Sequence, residues 1–595
     1  MKNKFKDRGY HDKNLGSTVN ELIALTQEEA LRKNAKDGTE EKKCTFVTTY
    51  TPDKWQVPAI HRNNWETVKS DPQLPLTKYE APRVGFVKIK PQVKLHPPPP
   101  KAHVLLSTSL PRSTSPSSNS QELKDLLELI EWPAPPSPTS FEFSTSPLTT
   151  DYHLLWPRAT YYVGEHVEVL ITARDHQGQK KTYGGDYFQA KLHSPRLKAG
   201  VTGSITDHRN GSYTVSFLLA WPGEVQISII LIHSSEAIAI LKEKRETRPD
   251  KVYFHGYFEH NGSQEVMECN VVPPSKEVCE YQDRGTGERW YCVRPAQLPC
   301  SGYLEHSAGG SRQILTSAEE PLLMGSVKEK VISSKVKLFN VLPRNNSFDD
   351  RGLCRPGLSN PEPSGFYYED AWHSRVCRNK QFSHPSNVTA CLAEKVVYMF
   401  GDSTLRQWWE YLVEFVPSLQ RLDLRVSYAP GPLLATDTQH DYLIEWRAHQ
   451  RPLSMKRTRL QELRYVANEL DGMGGGNEGL VIVINCLAHF VTFPVIVYVN
   501  RIRTIRDAVI RLLERSPQTK VLIKSGNTGY LYAHGSDWLS LQLDTVLRAM
   551  FTGLPVTILD AWQMTSCHYL SKSIHPGKAI IKNEVELMLS FICPQ

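Results

Sequence analysis

The chain has 595 residues, of which 22% are charged and 40% are hydrophobic, and its formal net charge is +7. At about 100–200 residues per domain, this length predicts three or four folded units, each large enough for its own hydrophobic core. The small positive charge, without basic runs interleaved with aromatic residues, excludes a nucleic-acid-binding protein.

The first predicted region, 1–120, is irregular. One short helix is predicted at 19–31, and the polar N-terminus is not followed by the apolar stretch of a signal peptide. Pro, Ser and Thr dominate 91–147, which predicts an extended linker because such a composition buries little apolar surface. In a second region, 121–150, apolar residues at i, i+3, i+4 and i+7 predict an amphipathic helix at 121–132.

Residues 151–248 show the alternating apolar pattern of short β-strands. Val167, Val169 and Ile171 alternate with other residues, and turn sequences such as Tyr-Gly-Gly-Asp at 183–186 separate the segments. This pattern predicts an antiparallel β-sandwich with an Ig-like fold, which lacks an inter-sheet disulfide because no cysteine lies inside it. The spacing of the strands resembles that of filamin-type repeats.

The cysteines and glycosylation sequons favour an oxidising, secretory compartment. Ten of the eleven cysteines lie between 269 and 593, and no C-x-x-C spacing suggests a metal site. Four of them make 249–340 a Cys-rich connector. The disulfide candidates are Cys269, Cys279, Cys292, Cys300, Cys354, Cys377, Cys391, Cys486, Cys567 and Cys593. The sequons predict glycosylation at Asn210, Asn261, Asn345 and Asn387.

Residues 341–595 alternate apolar strands with amphipathic helices, which predicts an α/β domain with a parallel sheet. Segment 480–499 carries no formal charge but contains polar residues and a proline. We interpret it as a buried strand, a turn and a second apolar segment rather than a membrane span. The strands of the domain are predicted at 395–400, 480–484, 520–524 and 556–559.

A catalytic serine is predicted where the first of these strands ends. Gly401, Asp402 and Ser403 follow the strand and precede a helix, where open α/β sheets bind ligands and helix amides favour an oxyanion. A structural alternative is that Asp402 and Ser403 only cap the helix. A serine nucleophile also needs a base, and His575 is favoured because its loop follows the last predicted strand. The histidines considered are His440, His449, His489, His534, His568 and His575.

Several ordered motifs resemble the neurexophilin and PC-esterase domain family (NXPE), from about residue 121 to the end. They are Tyr-Gly-Gly-Asp at 183–186, Asn-Gly-Ser-Tyr at 210–213, Tyr-Cys-Val-Arg-Pro at 291–295, Phe-Gly-Asp-Ser-Thr-Leu-Arg-Gln-Trp at 400–408 and Asp-Ala-Trp-Gln-Met-Thr at 560–565. Gly-Asp-Ser with a late His-Pro is similar to the PC-esterase branch of the GDSL/SGNH hydrolases. The resemblance implies an SGNH-hydrolase-like fold for 341–595.

The resemblance also implies roles for individual residues. Ser403 matches the family's nucleophile, and His575 matches its base. The oxyanion hole would consist of the Ser403 amide, Gly431 and a polar side chain that follows strand 480–484. Asn485 and His489 are the two candidates for that side chain, and each such donor would contribute about 3–4 kcal/mol.

One position departs from the PC-esterase pattern, in which an acid three residues before the histidine orients the base. Lys572 occupies that position here. Asp560 could supply the acid only if its loop folds back towards the histidine. Otherwise the site is a Ser–His dyad or a non-catalytic remnant, because losing the orienting acid can cost about 10⁴-fold in rate.

Two functions are therefore open. The first is serine-dependent O-acetyl transfer or ester hydrolysis on glycan hydroxyls of glycoproteins, including sialic acid, with no cofactor beyond an acetyl donor for the transfer. The second is a catalytically degenerate secreted glycoprotein that binds a cell-surface receptor such as neurexin, as neurexophilins do. The family implies secretion or a Golgi location, although the sequence shows no signal peptide.

Overall fold

The structure, a computed structural model, describes residues 116–136, 140–336, 338–344, 351–475, 479–530 and 535–594. The helix predicted at 19–31 and nearly all of region 1–120 lie outside these residues, as do Asn345 and His534. The helix predicted at 121–132 is confirmed. Helix α1, Pro116–Leu129, begins and ends a few residues earlier than predicted.

Two sheets share an apolar core in the region after α1. The fully buried side chains of Val169, Ile171 and Val215 alternate with more exposed neighbours, because successive strand residues face opposite sides. The strands are β1 Asp151–Leu154, β2 Tyr161–Tyr162, β3 His166–Thr172, β4 Tyr187–Ser194, β5 Ala199–Thr202, β6 Ser204–Asp207, β7 Ser212–Leu218 and β8 Gly223–His233. One sheet has the order β1-β3-β7-β6, and the antiparallel neighbours β5-β4-β8 belong to the other.

Helix α2, Ser235–Thr247, leads into an antiparallel sheet that forms the connector. Its strands are β9 Val252–His260, β10 Ser263–Asn270, β11 Val278–Gln282, β12 Arg289–Val293 and β13 Tyr303–Ser311. They are arranged in the order β11-β12-β10-β9-β13. Cys269 and Cys292 lie opposite each other on β10 and β12, so their disulfide joins neighbouring strands.

Strands further along the chain complete the sheet that contains β4. After α3, Glu320–Leu323, come β14 Lys330–Val331, β15 Phe339–Leu342, β16 Gly365–Tyr368 and β17 Ala371–Ser374. The sheet has the order β17-β16-β5-β4-β8-β15-β2, with β14 also paired to β8. This sheet therefore crosses the predicted boundary at residue 341.

A mixed seven-stranded sheet organises the rest of the chain. Its elements are α4 Pro385–Leu392, β18 Val396–Gly401, α5 Ser403–Phe415, β19 Gln420–Leu422, β20 Leu433–Asp437, β21 Tyr442–Arg447, β22 Thr458–Arg459, α6 Val466–Gly472, β23 Leu480–Asn485, α7 Val495–Arg515, β24 Lys520–Lys524, α8 Asp537–Phe551, β25 Thr557–Leu559, α9 Ala561–Cys567 and α10 Lys578–Ile592. The order is β19-β20-β21-β18-β23-β24-β25, while β22 instead pairs with β13 of the connector. The parallel sheet predicted from four strands is confirmed for β21, β18, β23, β24 and β25.

Apolar cores lie on both faces of this sheet. Along β23, Ile482 and Ile484 enter one core, and Val481 and Val483 enter the other. Such double burial explains the unbroken apolar run in the sequence. The chain turns after Asn485, and the next long helix begins at Val495, as expected for segment 480–499. Among the described residues, no helix has the length and apolarity needed to cross a membrane.

Eight of the ten disulfide candidates are paired, and the prediction is wrong for Cys486 and Cys567. These two thiols are free and buried. Cys486 lies in the core on one face of the seven-stranded sheet and Cys567 in the core on the other face, so their sulfur atoms cannot meet. The disulfides are Cys269–Cys292, Cys279–Cys300, Cys354–Cys377 and Cys391–Cys593.

Candidate active site

The turn between β18 and α5 places Ser403 at the first position of a helix. Gly401 lies so close to β23 that an added Cβ would be 2.6 Å from the carbonyl oxygen of Asn485. The Asp402 carboxylate caps α5 by accepting hydrogen bonds from Thr404 N at 2.8 Å and Thr404 Oγ1 at 2.7 Å. Capping is therefore the role of Asp402, and the Ser403 hydroxyl is left for other contacts.

Ser403 and His575 form a hydrogen-bonded pair. Ser403 Oγ lies 2.7 Å from His575 Nε2, although the two residues are 172 positions apart. This distance is in the range required for a histidine to activate a serine hydroxyl. His575 lies between α9 and α10 and is exposed, so a substrate can reach the pair from solvent.

Main-chain contacts hold the His575 loop on both sides of the ring. Asn527 Nδ2 donates a hydrogen bond of 2.9 Å to the carbonyl oxygen of Ile574. On the other side, Gln407 Nε2 donates to the carbonyl oxygen of Pro576 at 3.5 Å. The position of His575 thus depends on two side-chain amides that contact its neighbours.

A buried lysine contacts both Asn527 and the helix that carries Ser403. Lys524 Nζ lies 2.6 Å from Asn527 Oδ1 and 3.3 Å from Thr404 Oγ1, and its side chain is fully buried. Gly529 adopts a φ of 106°, and an added Cβ would be 2.6 Å from the main chain of Ser573. The segment after β24 therefore contacts both the helix that carries Ser403 and the loop that carries His575.

The surroundings of His575 keep the imidazole neutral. The surrounding protein reduces solvation of the charged ring and thereby lowers the pKa of His575 below the usual value of 6.5. The negative charge of Asp402 opposes this shift, whereas the positive charge of Arg406 adds to it. A neutral ring can accept the Ser403 proton at Nε2, which is the state that a general base needs.

No carboxylate among the described residues hydrogen-bonds to His575. Asp560 instead caps α9, since its Oδ1 accepts from Gln563 N at 3.2 Å, and it pairs with Arg548 at 2.7 Å. Lys572 lies 3.5 Å from Asp537 Oδ2. The suggestion that Asp560 orients the base is therefore corrected, because its carboxylate is occupied elsewhere.

Two of the three oxyanion candidates use their donors elsewhere. The Gly431 amide donates to the carbonyl oxygen of Ser427 at 3.2 Å. Asn485 Nδ2 donates to the carbonyl oxygens of Lys524 and Ser525 at 3.2 and 3.4 Å. Both donors are therefore engaged by main-chain carbonyl groups in this structure, and their part in an oxyanion hole stays a prediction.

His489 is the side-chain candidate that remains. It lies beside Ala488, whose amide is 3.3 Å from Asp402 Oδ2, so the turn after β23 contacts the turn before α5. His489 is also close enough to His575 for a charge on one ring to lower the pKa of the other. Its Nδ1 contacts His449 Nε2 at 3.0 Å. The Nε2 atom has no hydrogen bond to any described residue.

Two other candidate histidines, His440 and His568, have acidic partners elsewhere. His440 Nδ1 contacts Asp437 at 2.9 Å, and His568 Nε2 lies 3.5 Å from Asp370. Sequence reasoning missed Asn527, Lys524 and Gln407. The sequence feature that could have indicated the first two is the polar segment Lys-Ser-Gly-Asn-Thr-Gly at 524–529. It begins at the end of a buried strand, at the same edge of the sheet as Ser403.

The described sequon asparagines are all at the surface. Asn210, Asn261 and Asn387 are exposed. Asn210 Oδ1 accepts hydrogen bonds from the amide and hydroxyl of Ser212, at 3.0 and 2.7 Å. Its Nδ2 atom, which would carry a glycan, takes part in neither contact. Glycosylation at these positions stays a prediction.

Comparison with family models gives two matches, which do not overlap. Residues 124–318 match the model described as Neurexophilin. Residues 372–593, which include Ser403 and His575, match the model described as NXPE family member 4-like, C-terminal domain. Together the two matches cover more than half of the chain, in the order expected from the sequence motifs. The chain therefore belongs to the NXPE family.

Proposed function

We propose that the C-terminal domain catalyses serine-dependent acyl transfer or ester hydrolysis, with acetyl esters of glycan hydroxyls on glycoproteins, including sialic acids, as its substrate class. The observation that carries this proposal is the 2.7 Å contact between Ser403 Oγ and His575 Nε2 at the N-terminus of α5. The positive end of the helix dipole at that terminus favours the negative charge that develops on a carbonyl oxygen during attack.

The reaction follows from these positions. Ser403 Oγ attacks the acetyl carbonyl carbon while His575 Nε2 takes the hydroxyl proton, and the carbonyl oxygen becomes an oxyanion. The intermediate then collapses: the bond to the leaving alkoxide breaks, and His575 returns the proton to that oxygen. A water molecule or an acceptor hydroxyl attacks the acetyl-serine in the same way and releases Ser403. Water gives hydrolysis, and a glycan hydroxyl gives transfer from an acetyl donor.

A dyad without an orienting acid is compatible with this chemistry. The carboxylate of a triad holds the imidazole and stabilises its charged form. Here Asn527 and Gln407 hold the His575 loop by hydrogen bonds to its main chain, and they thereby position the imidazole in place of a carboxylate. The charge of Asp402 favours the imidazolium over a longer distance. We therefore propose a catalytic site that is slower than a full triad rather than an inactive remnant.

We interpret the two-sheet region as an Ig-like, filamin-type sandwich and the C-terminal domain as an SGNH-hydrolase fold. Four disulfides favour an oxidising compartment, which supports a secreted or Golgi-lumenal enzyme. In that compartment, the exposed site would meet glycoprotein glycans.

The decisive test compares wild-type protein with Ser403→Ala. Release or transfer of acetyl groups is measured on sialylated mucin, together with covalent labelling by a fluorophosphonate. Ser386→Ala is the matched control, because Ser386 is an exposed serine of the same domain and lies outside the site. We expect Ser403→Ala to lose both signals and Ser386→Ala to keep them. Equal acetyl turnover in all three proteins contradicts the proposal.

A second candidate function is favoured by the Neurexophilin match at 124–318. In this alternative, the sandwich and connector bind a cell-surface receptor such as a neurexin, and the C-terminal domain is not needed for binding. Pull-down of neurexin ectodomains by wild-type and Ser403→Ala protein tests this function separately from catalysis. Equal capture by both proteins supports the binding function, and no capture by either protein contradicts it.

A further inference from the structure

A polar cleft of about 670 Å³ lies between one face of the sheet that contains β4 and the helices α8 and α9. The polar side chains that the sheet contributes are those of Gln189, Lys191, Thr202 and Ser228. Lys191 lies opposite Thr202 on β5 and opposite Ser228 on β8, so these side chains share one face of the sheet. Arg209, which is exposed, also lines the cleft, so a ligand can enter from solvent.

Lys191 places a cation in this cleft without a matching carboxylate. Its Nζ donates a hydrogen bond of 2.5 Å to the carbonyl oxygen of His568, and it forms no ion pair with any acid of the described residues. Burial lowers the pKa of the Lys191 ammonium to about 8, and the positive charge of Lys572 adds to this effect. The ammonium is therefore charged at neutral pH and keeps N–H donors for a ligand.

Helix α9 adds two residues with unused N–H groups. Gln563 Oε1 accepts hydrogen bonds from Ser364 N at 2.8 Å and from Thr202 Oγ1 at 3.1 Å. Because a main-chain N–H can only donate, the atom that faces Ser364 is the oxygen, and Nε2 is left as a donor. Trp562 also lines the cleft, and no ring or cation among the described residues stacks on its indole.

The acidic residues beside α8 and α9 have partners of their own. Asp544 and Asp560 both pair with Arg548, each at 2.7 Å. Glu131 and Glu362 also line the cleft, and neither forms an ion pair within the described part of the chain. Their carboxylates can accept hydrogen bonds from hydroxyl groups. The lining thus combines a cation, free donors, free acceptors and an unstacked indole.

This combination fits an acidic sugar. The hydroxyl groups of a sugar both donate and accept hydrogen bonds, and the apolar face of its ring can lie on an indole. A carboxylate or sulfate group would compensate the ammonium of Lys191 through charge-assisted hydrogen bonds. A wholly apolar ligand is disfavoured, because it would cover that ammonium without giving it a partner.

We propose that this cleft binds an acidic glycan, with the carboxylate or sulfate group at Lys191 and a sugar ring against Trp562. The proposal goes beyond the proposed catalytic reaction, since neither Ser403 nor His575 lines the cleft. Lys572 does line it, three residues before His575. A bound glycan would therefore lie beside the loop that carries the candidate base.

The test measures binding by isothermal titration calorimetry on the full chain carrying Ser403→Ala, so that no probe is consumed. The probes are sialyllactose, sulfated lactose and lactose. Lys191→Met removes the cation but keeps an unbranched side chain. Gln563→Glu keeps the oxygen that faces Ser364 and replaces the Nε2 donor with an acceptor. Lys330→Met is the matched control, because Lys330 is an exposed lysine of β14, which pairs with β8 of the same sheet.

We expect at least one of the two acidic sugars to bind about tenfold more tightly than lactose, because hydrogen bonds between charged groups are stronger than neutral ones. Lys191→Met and Gln563→Glu should lose this preference, and Lys330→Met should keep it. The acidic sugar that binds shows whether the cleft recognises a carboxylate or a sulfate. Near-UV circular dichroism checks that each variant is folded.

Three results overturn the proposal: neither acidic sugar binds, all three sugars bind equally, or Lys191→Met binds as the unchanged chain does. The last result is also the one expected if an acidic sugar binds only at the catalytic site. Acetyl turnover by the wild type is measured separately. Binding that depends on Lys191, without turnover, rejects the proposed function and retains the glycan site, whereas turnover without such binding does the reverse.

Discussion

Asn527 Nδ2 donates a 2.9 Å hydrogen bond to the carbonyl oxygen of Ile574, the residue that precedes the candidate base. The side chain of Asn527 is buried and is itself held by Lys524. In a triad, a carboxylate contacts the imidazole directly, whereas here an amide contacts the peptide beside it. This difference determines what substitutions in the site should do.

Asn527→Ala should slow fluorophosphonate labelling of Ser403 by up to about 10²-fold, because the His575 loop loses its main-chain anchor and the base moves out of line. Asn583→Ala is the matched control. Asn583 is a buried asparagine that donates to the carbonyl oxygens of Asp370 and Ala579, both at 2.8 Å, away from the site. Each variant should lose about 1–3 kcal/mol of unfolding free energy. Equal labelling by the two variants would show that Asn527 does not position the base.

The labelling rate should decrease in acid, as His575 becomes protonated, with a midpoint below pH 6.5. The midpoint lies below 6.5 because the pKa of His575 is lowered in the folded protein. The ring therefore stays neutral to a lower pH than an ordinary histidine does. Arg406 contributes to this shift, and Arg406→Gln should move the midpoint upward by a small amount. The measurement is the rate against pH for both proteins. A wild-type midpoint above 6.5 would contradict this account of the surroundings of His575.

Cys486 and Cys567 should resist alkylation in the native protein at pH 8 and react after denaturation without reductant. Burial raises the pKa of each thiol to about 12 and also blocks access of the reagent. Mass spectrometry of peptides distinguishes these thiols from the four disulfide pairs. Recovery of a peptide that joins Cys486 to Cys567 by a disulfide would contradict the structure.

Glu288→Ala should lower the free energy of unfolding by about 3–5 kcal/mol, because it leaves the Arg501 guanidinium buried without its carboxylate. The pair is shielded from solvent, with side-chain exposures of 2% for Arg501 and 15% for Glu288. Glu280→Ala is the control in the same sheet, since its pair with Arg289 is exposed on both sides and should change stability by less than about 1 kcal/mol. Urea unfolding of the full chain measures both. Similar midpoints for the two variants would show that the Glu288 contact does not couple the connector to α7.

The sequence allowed prediction of those features that depend on local pattern and chain order. The apolar run before Gly401 predicted β18, and the helical stripe after it predicted α5, so Ser403 was expected at their junction. His575 could be selected because a loop after the last parallel strand returns to the same edge of the sheet.

Other features depend on contacts that the sequence pattern does not specify. The pairing of β16 with β5 brings Tyr367 opposite Gly200, and alternation alone does not indicate a strand's partner. The direction of the Asn485 amide depends on the carbonyl groups of β24, which lie beside it only after folding. The even number of cysteines between 269 and 593 favoured complete pairing, but Cys486 and Cys567 lie on opposite faces of the seven-stranded sheet.

The disulfide between Cys391 and Cys593 has one more consequence. It closes a covalent ring with a sequence separation of 202 residues, and Ser403 and His575 both lie inside that ring. A protease that cuts the backbone once between these two residues would leave both on a single molecule, even in denaturant. Reassembly of the Ser403–His575 pair would then be independent of protein concentration, and a nicked form of the protein would regain this contact after dilution from denaturant.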